Sequence, residues 1–124
     1  MKTNELRDLM RSLIRTVALK YDAEVGYRQV SRSDMFPHIV FDFVSVEHPD
    51  FFRSDYTVDV EVFTKDQMQA IEIADELEER FRMWNTPDDN ILPTIYNEGR
   101  QMVEDPDRTI RRELIRLSVH SYDK

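Results

Sequence analysis

Cysteine is absent from this chain and glycine nearly so, with only Gly26 and Gly99 among 124 residues. The first absence excludes disulfides, thiolate nucleophiles and cysteine zinc sites. It leaves the chain indifferent to redox compartment, so a reducing cytoplasm suits it. The second excludes the glycine-rich loops that cradle phosphates in P-loop and Rossmann sites, and no nucleotide cofactor is expected. A long apolar run is also missing from the start: Met1-Lys2-Thr3-Asn4-Glu5-Leu6 turns amphipathic at once. Neither a signal peptide nor a membrane partner is expected from such an N-terminus.

What is present suits one folded domain over residues 1–124. A content of 40% hydrophobic residues supplies a core, and 34% charged residues keep the rest of the surface wet. The net charge of −8 is unevenly spread: residues 1–20 carry five positive and two negative side chains, residues 41–80 three and twelve, and residues 108–124 five and two. Basic ends flanking an acidic middle favour protein partners, copies of the same chain included, over nucleic acid.

Residues 4 to about 20 repeat apolar side chains at Leu6, Leu9, Met10, Leu13, Ile14, Val17 and Ala18, which predicts a helix with one buried stripe and Arg7, Arg11 and Arg15 on its other side. Glu24 to Val30 reads as a short strand, and His38 to Val46 as a strand apolar on both faces. Residues 47–54 read as a loop, followed by a strand in which Tyr56, Val58, Val60 and Val62 alternate with polar residues. Thr64 to Gln67 fits a capping box opening a second helix. Its stripe is Ile71, Ala74, Leu77, Phe81 and Trp84, and its remaining surface is acidic through Glu72, Asp75, Glu76, Glu78 and Glu79. Residues 85–90 read as a loop. Residues 91–104 and 108–122 read as strands joined by a tight reversal at Glu104-Asp105-Pro106-Asp107, with a polar tip reaching past its own core. The expected fold is α+β: an antiparallel or mixed sheet of about five strands with two helices packed on one face, in the order α-β-β-β-α-β-β.

Catalytic patterns are scarce. His38, His48 and His120 lack the i, i+4 spacing of a helical metal site, and His48 with Glu47 and Asp50 is better explained as a loop facing water. His48-Pro49-Asp50 spells the J-domain tripeptide, but between apolar strands rather than helices, so the match is a coincidence. Asp42, Asp59 and Glu61 could form a carboxylate cluster, yet their alternation with valines puts Asp59 and Glu61 on a solvated or interface face. No nucleophile elbow occurs. Arg108, Arg111, Arg112 and Arg116 are the densest basic run, but neighbours on a strand face opposite ways and the pI of about 4.8 argues against nucleic acid. A role in intersubunit ion pairs suits Arg108, Arg111 and Arg112 better, with Glu72, Glu76 and Glu79 as their complement. No enzymatic activity, cofactor or metal is expected.

The runs His38-Ile39-Val40-Phe41-Asp42-Phe43 and Arg53 to Phe63, the Glu-rich helix, Ile91-Leu92-Pro93-Thr94, Val103 to Arg108 and Ile110-Arg111-Arg112 together resemble the bacteriophage tail-terminator, or tail-completion, proteins of long-tailed phages and prophages of Gram-positive bacteria. The likeness spans roughly residues 38–122, and the N-terminal helix agrees in position and character. It implies a small virion protein without catalytic residues. Such a protein, typically a hexameric ring, would be assembled in the host cytoplasm, cap the tail-tube protein and present a surface to the head–tail connector protein. A head–tail stopper or minor capsid protein is the alternative within that class. A small enzyme or binding domain is the alternative outside it.

Overall fold

A computed structural model describes residues 3–84 and 93–122. Helix α1, Thr3–Ala18, runs into a 3-10 turn, Leu19–Tyr21, and is closed by Asp22 in the left-handed conformation, with the Ala23 amide donating to the Ala18 carbonyl at 3.0 Å. Strands β1 (Glu24–Tyr27), β2 (His38–Asp50) and β3 (Arg53–Thr64) follow, then helix α2 (Gln67–Trp84), then β4 (Thr94–Val103) and β5 (Arg111–Tyr122). The element order is the expected α-β-β-β-α-β-β, and the fold is α+β. The five strands lie in the order β1-β2-β3-β5-β4. The sheet is mixed, because β1 runs parallel to β2 and every other neighbouring pair is antiparallel.

Both helices cover one face of this sheet. Leu6, Met10, Leu13, Ile14 and Val17 of α1 and Ile73, Ala74, Leu77 and Phe81 of α2 close over Ile39, Phe41, Val58, Val60, Val62, Ile115, Leu117 and Val119 in a single core. The strict alternation of β3 makes this one-sided packing possible, since every second residue from Ser54 to Thr64 is buried. Among the described residues no helix lies on the opposite face. No helix among the described residues is long and apolar enough to cross a membrane.

Several boundaries differ from the sequence reading. The first strand stops at Tyr27 rather than Val30, because Arg28 adopts a positive φ of 67° and the chain folds back over Gly26; a Cβ there would lie 1.9 Å from the Gln29 carbonyl oxygen. Residues 47–54 are not a loop but the end of a β2–β3 hairpin, turning at Phe51-Phe52. Register shifts at Phe43/Ser45 and Glu47/Asp50 break the period of two, and residues 44–50 are all exposed, so no buried face betrays the strand in the sequence. The tip of the β4–β5 hairpin does not outrun its support, for β5 pairs with β3 along its whole length, from Arg111 opposite Thr64 to Tyr122 opposite Arg53. Its connection is wider than a tight reversal: Asp105 and Asp107 accept the amides of Asp107 and Thr109, each at 2.9 Å, and Arg108 therefore sits in a loop rather than on a strand. The expected loop at 85–90 and strand residues Ile91 and Leu92 lie outside the described residues.

The capping box is also corrected. Asp66, not Thr64, caps α2: its Oδ1 accepts the Met68 amide at 3.0 Å, while buried Thr64 donates its hydroxyl to the Asp66 carbonyl at 2.7 Å and sets the entry to the helix. Asp66→Ala is expected to lower the unfolding free energy by about 1 kcal/mol. Urea denaturation checks this, and an unchanged midpoint would show that the cap contributes nothing.

Candidate subunit interface

The uncovered face of the sheet is a grid of paired charges. Arg116 grips Asp59 with both Nε and Nη2, at 2.8 and 2.9 Å, and Arg28 donates to Asp42 at 3.0 Å. Asp42 and Asp59 stand directly opposite each other on β2 and β3, so each arginine neutralises one member of a like-charged cross-strand pair. The hydrogen bond to Asp59 is the main reason that the Arg116 pKa lies above the ordinary arginine value. Each of these carboxylates is therefore matched to an arginine on an open sheet face, not enclosed with the other in a pocket.

Arg112 belongs to the same grid. Its Nε donates to Glu61 at 2.8 Å, its Nη1 to Asp105 at 3.2 Å, and its guanidinium lies 4.8 Å from the Phe63 ring centroid. Of the three arginines assigned to an interface from the sequence, Arg112 is thus committed within its own chain. Arg108 and Arg111 are exposed, and neither has a salt bridge to another described residue. Both line an open cleft of about 580 Å³ with Gln67, Met102, Pro106 and Ile110, where the β4–β5 connection approaches the start of α2.

The three glutamates divide in the same way. Glu76 lies 3.5 Å from Lys20, and Glu79 pairs with Arg82 one turn along the helix. Burial, then hydrogen bonding to Glu76 and the charge of Glu76 and Glu72, push the Tyr21 hydroxyl above its ordinary pKa, which keeps that tyrosine protonated against the acidic flank of α2. Glu72 is exposed beside it. The structure does not bring Arg108, Arg111 or Arg112 together with Glu72, Glu76 or Glu79 inside one chain.

The histidines occupy three separate places. His38 is buried, with Nδ1 2.8 Å from the Met35 carbonyl oxygen and its ring stacked on Phe63. His48, on β2 rather than in a loop, lies 2.9 Å from the Ser54 hydroxyl. His120 approaches Asp55 at 3.7 Å. Among the described residues no group of three or more His, Asp or Glu side chains is placed to hold a metal ion.

One surface escaped the sequence reading. Phe51 and Phe52 at the β2–β3 turn are 95% and 68% exposed, and Val44 and Val46 leading to them are exposed as well. The signal lay in two adjacent phenylalanines between Asp50 and Arg53, an apolar pair in polar surroundings with no partner in any periodic pattern. Neither the protein-family models nor the curated proteins contain a match to this chain.

Proposed function

We propose that this chain is a structural protein of a phage or prophage neck, a tail terminator that assembles as a ring, of six copies by analogy with the family it resembles, on the finished tail tube and offers its other side to the head connector. The observation that carries this reading is the separation of unlike surfaces on one sheet. An apolar hairpin tip stands at one end, unpaired Arg108 and Arg111 stand at the other, and a charged face without a helix lies between them. Surfaces that differ so much suit heterologous contacts, in which one patch of each subunit meets a different patch of the next and a suitable rotation closes the ring. The work of such a protein is assembly, with no catalytic step, cofactor, membrane or specific nucleic acid.

Mixing the purified chain with isolated tail tubes and imaging the tube ends tests the reading. Rings at the head-proximal end support it. Binding to heads but not to tubes would move the chain to a stopper or minor capsid position, and binding to neither would overturn a neck role. Ring formation is expected to weaken as salt rises, because exposed charges are screened over about 8 Å at physiological ionic strength. Arg108→Glu with Arg111→Glu is expected to block assembly and leave the monomer folded, since exposed substitutions usually change stability within about 0.5 kcal/mol. Light scattering at low and high salt, with and without the pair, gives the answer. Arg112 is unsuitable for this test because its reversal would also break the contacts to Glu61 and Asp105.

A further inference from the structure

From the chemistry of the two ends of the sheet we infer that the Phe51-Phe52 tip of one copy docks into the cleft between the β4–β5 connection and α2 of the next. The inference rests on the ring reading and supplies its contact. Strand β3 has twelve residues, so tip and cleft lie roughly 40 Å apart at ~3.3 Å per residue, and no chain can reach its own cleft. The tip is apolar and its collar carries more acid than base: Glu47 and Asp50 are exposed with no salt bridge within 4 Å among the described residues, and the one nearby cation, Arg53, stands opposite Asp50 in the register and is paired with Asp55 at 2.9 Å. The cleft reverses these signs. Met102, Pro106 and Ile110 give it apolar walls, Asp105 shares Arg112 with Glu61, and Arg108 and Arg111, which pair with no described residue, stand at its rim beside Glu104. An apolar knob with an acidic collar thus faces an apolar cleft with a basic rim. The acidic side of α2 is a poorer complement for these arginines, because Glu76 and Glu79 already hold Lys20 and Arg82.

Two phenylalanines bury roughly 300–500 Å² when fully covered. A stable pairwise interface takes about 800 Å² from each partner. One such contact is therefore weak, and closure helps it: a ring has as many contacts as subunits, an open chain one fewer. This favours an open dimer less than a closed ring or an array held on a template.

The absence of cysteine makes the test clean. Phe52→Cys and Gln67→Cys are made as separate chains, mixed, and treated with a short bis-maleimide, with Met83→Cys on the exposed side of α2 as the control partner for Phe52→Cys. Phe51 remains in place as the anchor, and all substituted positions are at least partly exposed. The expected result is several-fold more 52–67 than 52–83 product, falling with added salt and when Arg108→Glu and Arg111→Glu are placed on the Gln67→Cys chain. A 52–67 yield no greater than that of the control overturns the contact. Light scattering on the unsubstituted chain separates the two ideas: rings without the 52–67 product sink this docking alone, while no self-association, with tail tubes present or absent, sinks both.

Discussion

Phe81→Ala is expected to cost about 3–5 kcal/mol of unfolding free energy, the usual loss for a fully packed aromatic side chain. Phe81 is 3% exposed and lies on the last full turn of α2 that packs over the sheet, close to Leu117 and Ile95. It stands four residues beyond Leu77, so it continues the stripe toward the helix end, where no further large side chain is fully buried. The cavity would open between α2 and the β4–β5 pair, and relaxation there is limited because β5 is paired on both sides. Urea denaturation with an unchanged slope and a lower midpoint is the predicted outcome. A midpoint equal to that of the parent would mean that Phe81 does not face the core. Ile71→Ala serves as the contrast: Ile71 is 36% exposed, and its truncation should cost far less.

That contrast also marks how far the sequence could be read. The period that selected Ala74, Leu77 and Phe81 was sound, but it took Ile71 as their partner, whereas the helix buries Ala70 and Ile73 instead. An apolar residue about 100° around the helix from the stripe's centre looks the same in one dimension as a residue within it. Alternation made β3 legible because one of its faces is buried throughout, and it failed for the far half of β2, where no face is buried and two bulges shift the register. The candidate interface was legible as charge but not as pairing. Arg111 and Arg112 are adjacent in sequence and point to opposite faces, one free and one bound to Glu61 across the β3–β5 ladder, and only the strand register separates them. The phenylalanine tip carried no periodic signal, since it is a turn rather than an element.

The bulge in β4 has an electrostatic consequence. Between Asn97 and Gly99 the register with β5 slips by one residue, and Gly99 takes a φ of 144° that side chains of L-residues rarely adopt. The slip exchanges the faces of all that follows, so Arg100 points to the helix side instead of to the open face. There its Nη1 meets Asp75 at 2.5 Å and Glu78 at 2.7 Å on α2, and its Nε lies 3.6 Å from Glu113, a carboxylate only 6% exposed on β5. Burial opposes the charge of Arg100, but the hydrogen bonds to Asp75 and Glu78 and the nearby Glu113 outweigh it, and its pKa lies above the ordinary arginine value. Removing the cation leaves Glu113 buried with no opposite charge. Arg100→Met should therefore cost about 3 kcal/mol, the lower end of the range for breaking a buried pair because solvent still reaches Arg100. Replacing both partners removes the orphaned charge, so Arg100→Met with Glu113→Leu should be more stable than Arg100→Met alone. A double-mutant cycle on urea midpoints measures the coupling, which for groups in direct contact reaches about 3 kcal/mol. Additive effects of the two substitutions would show that Arg100 stabilises the fold only through Asp75 and Glu78, and that Glu113 tolerates burial without it.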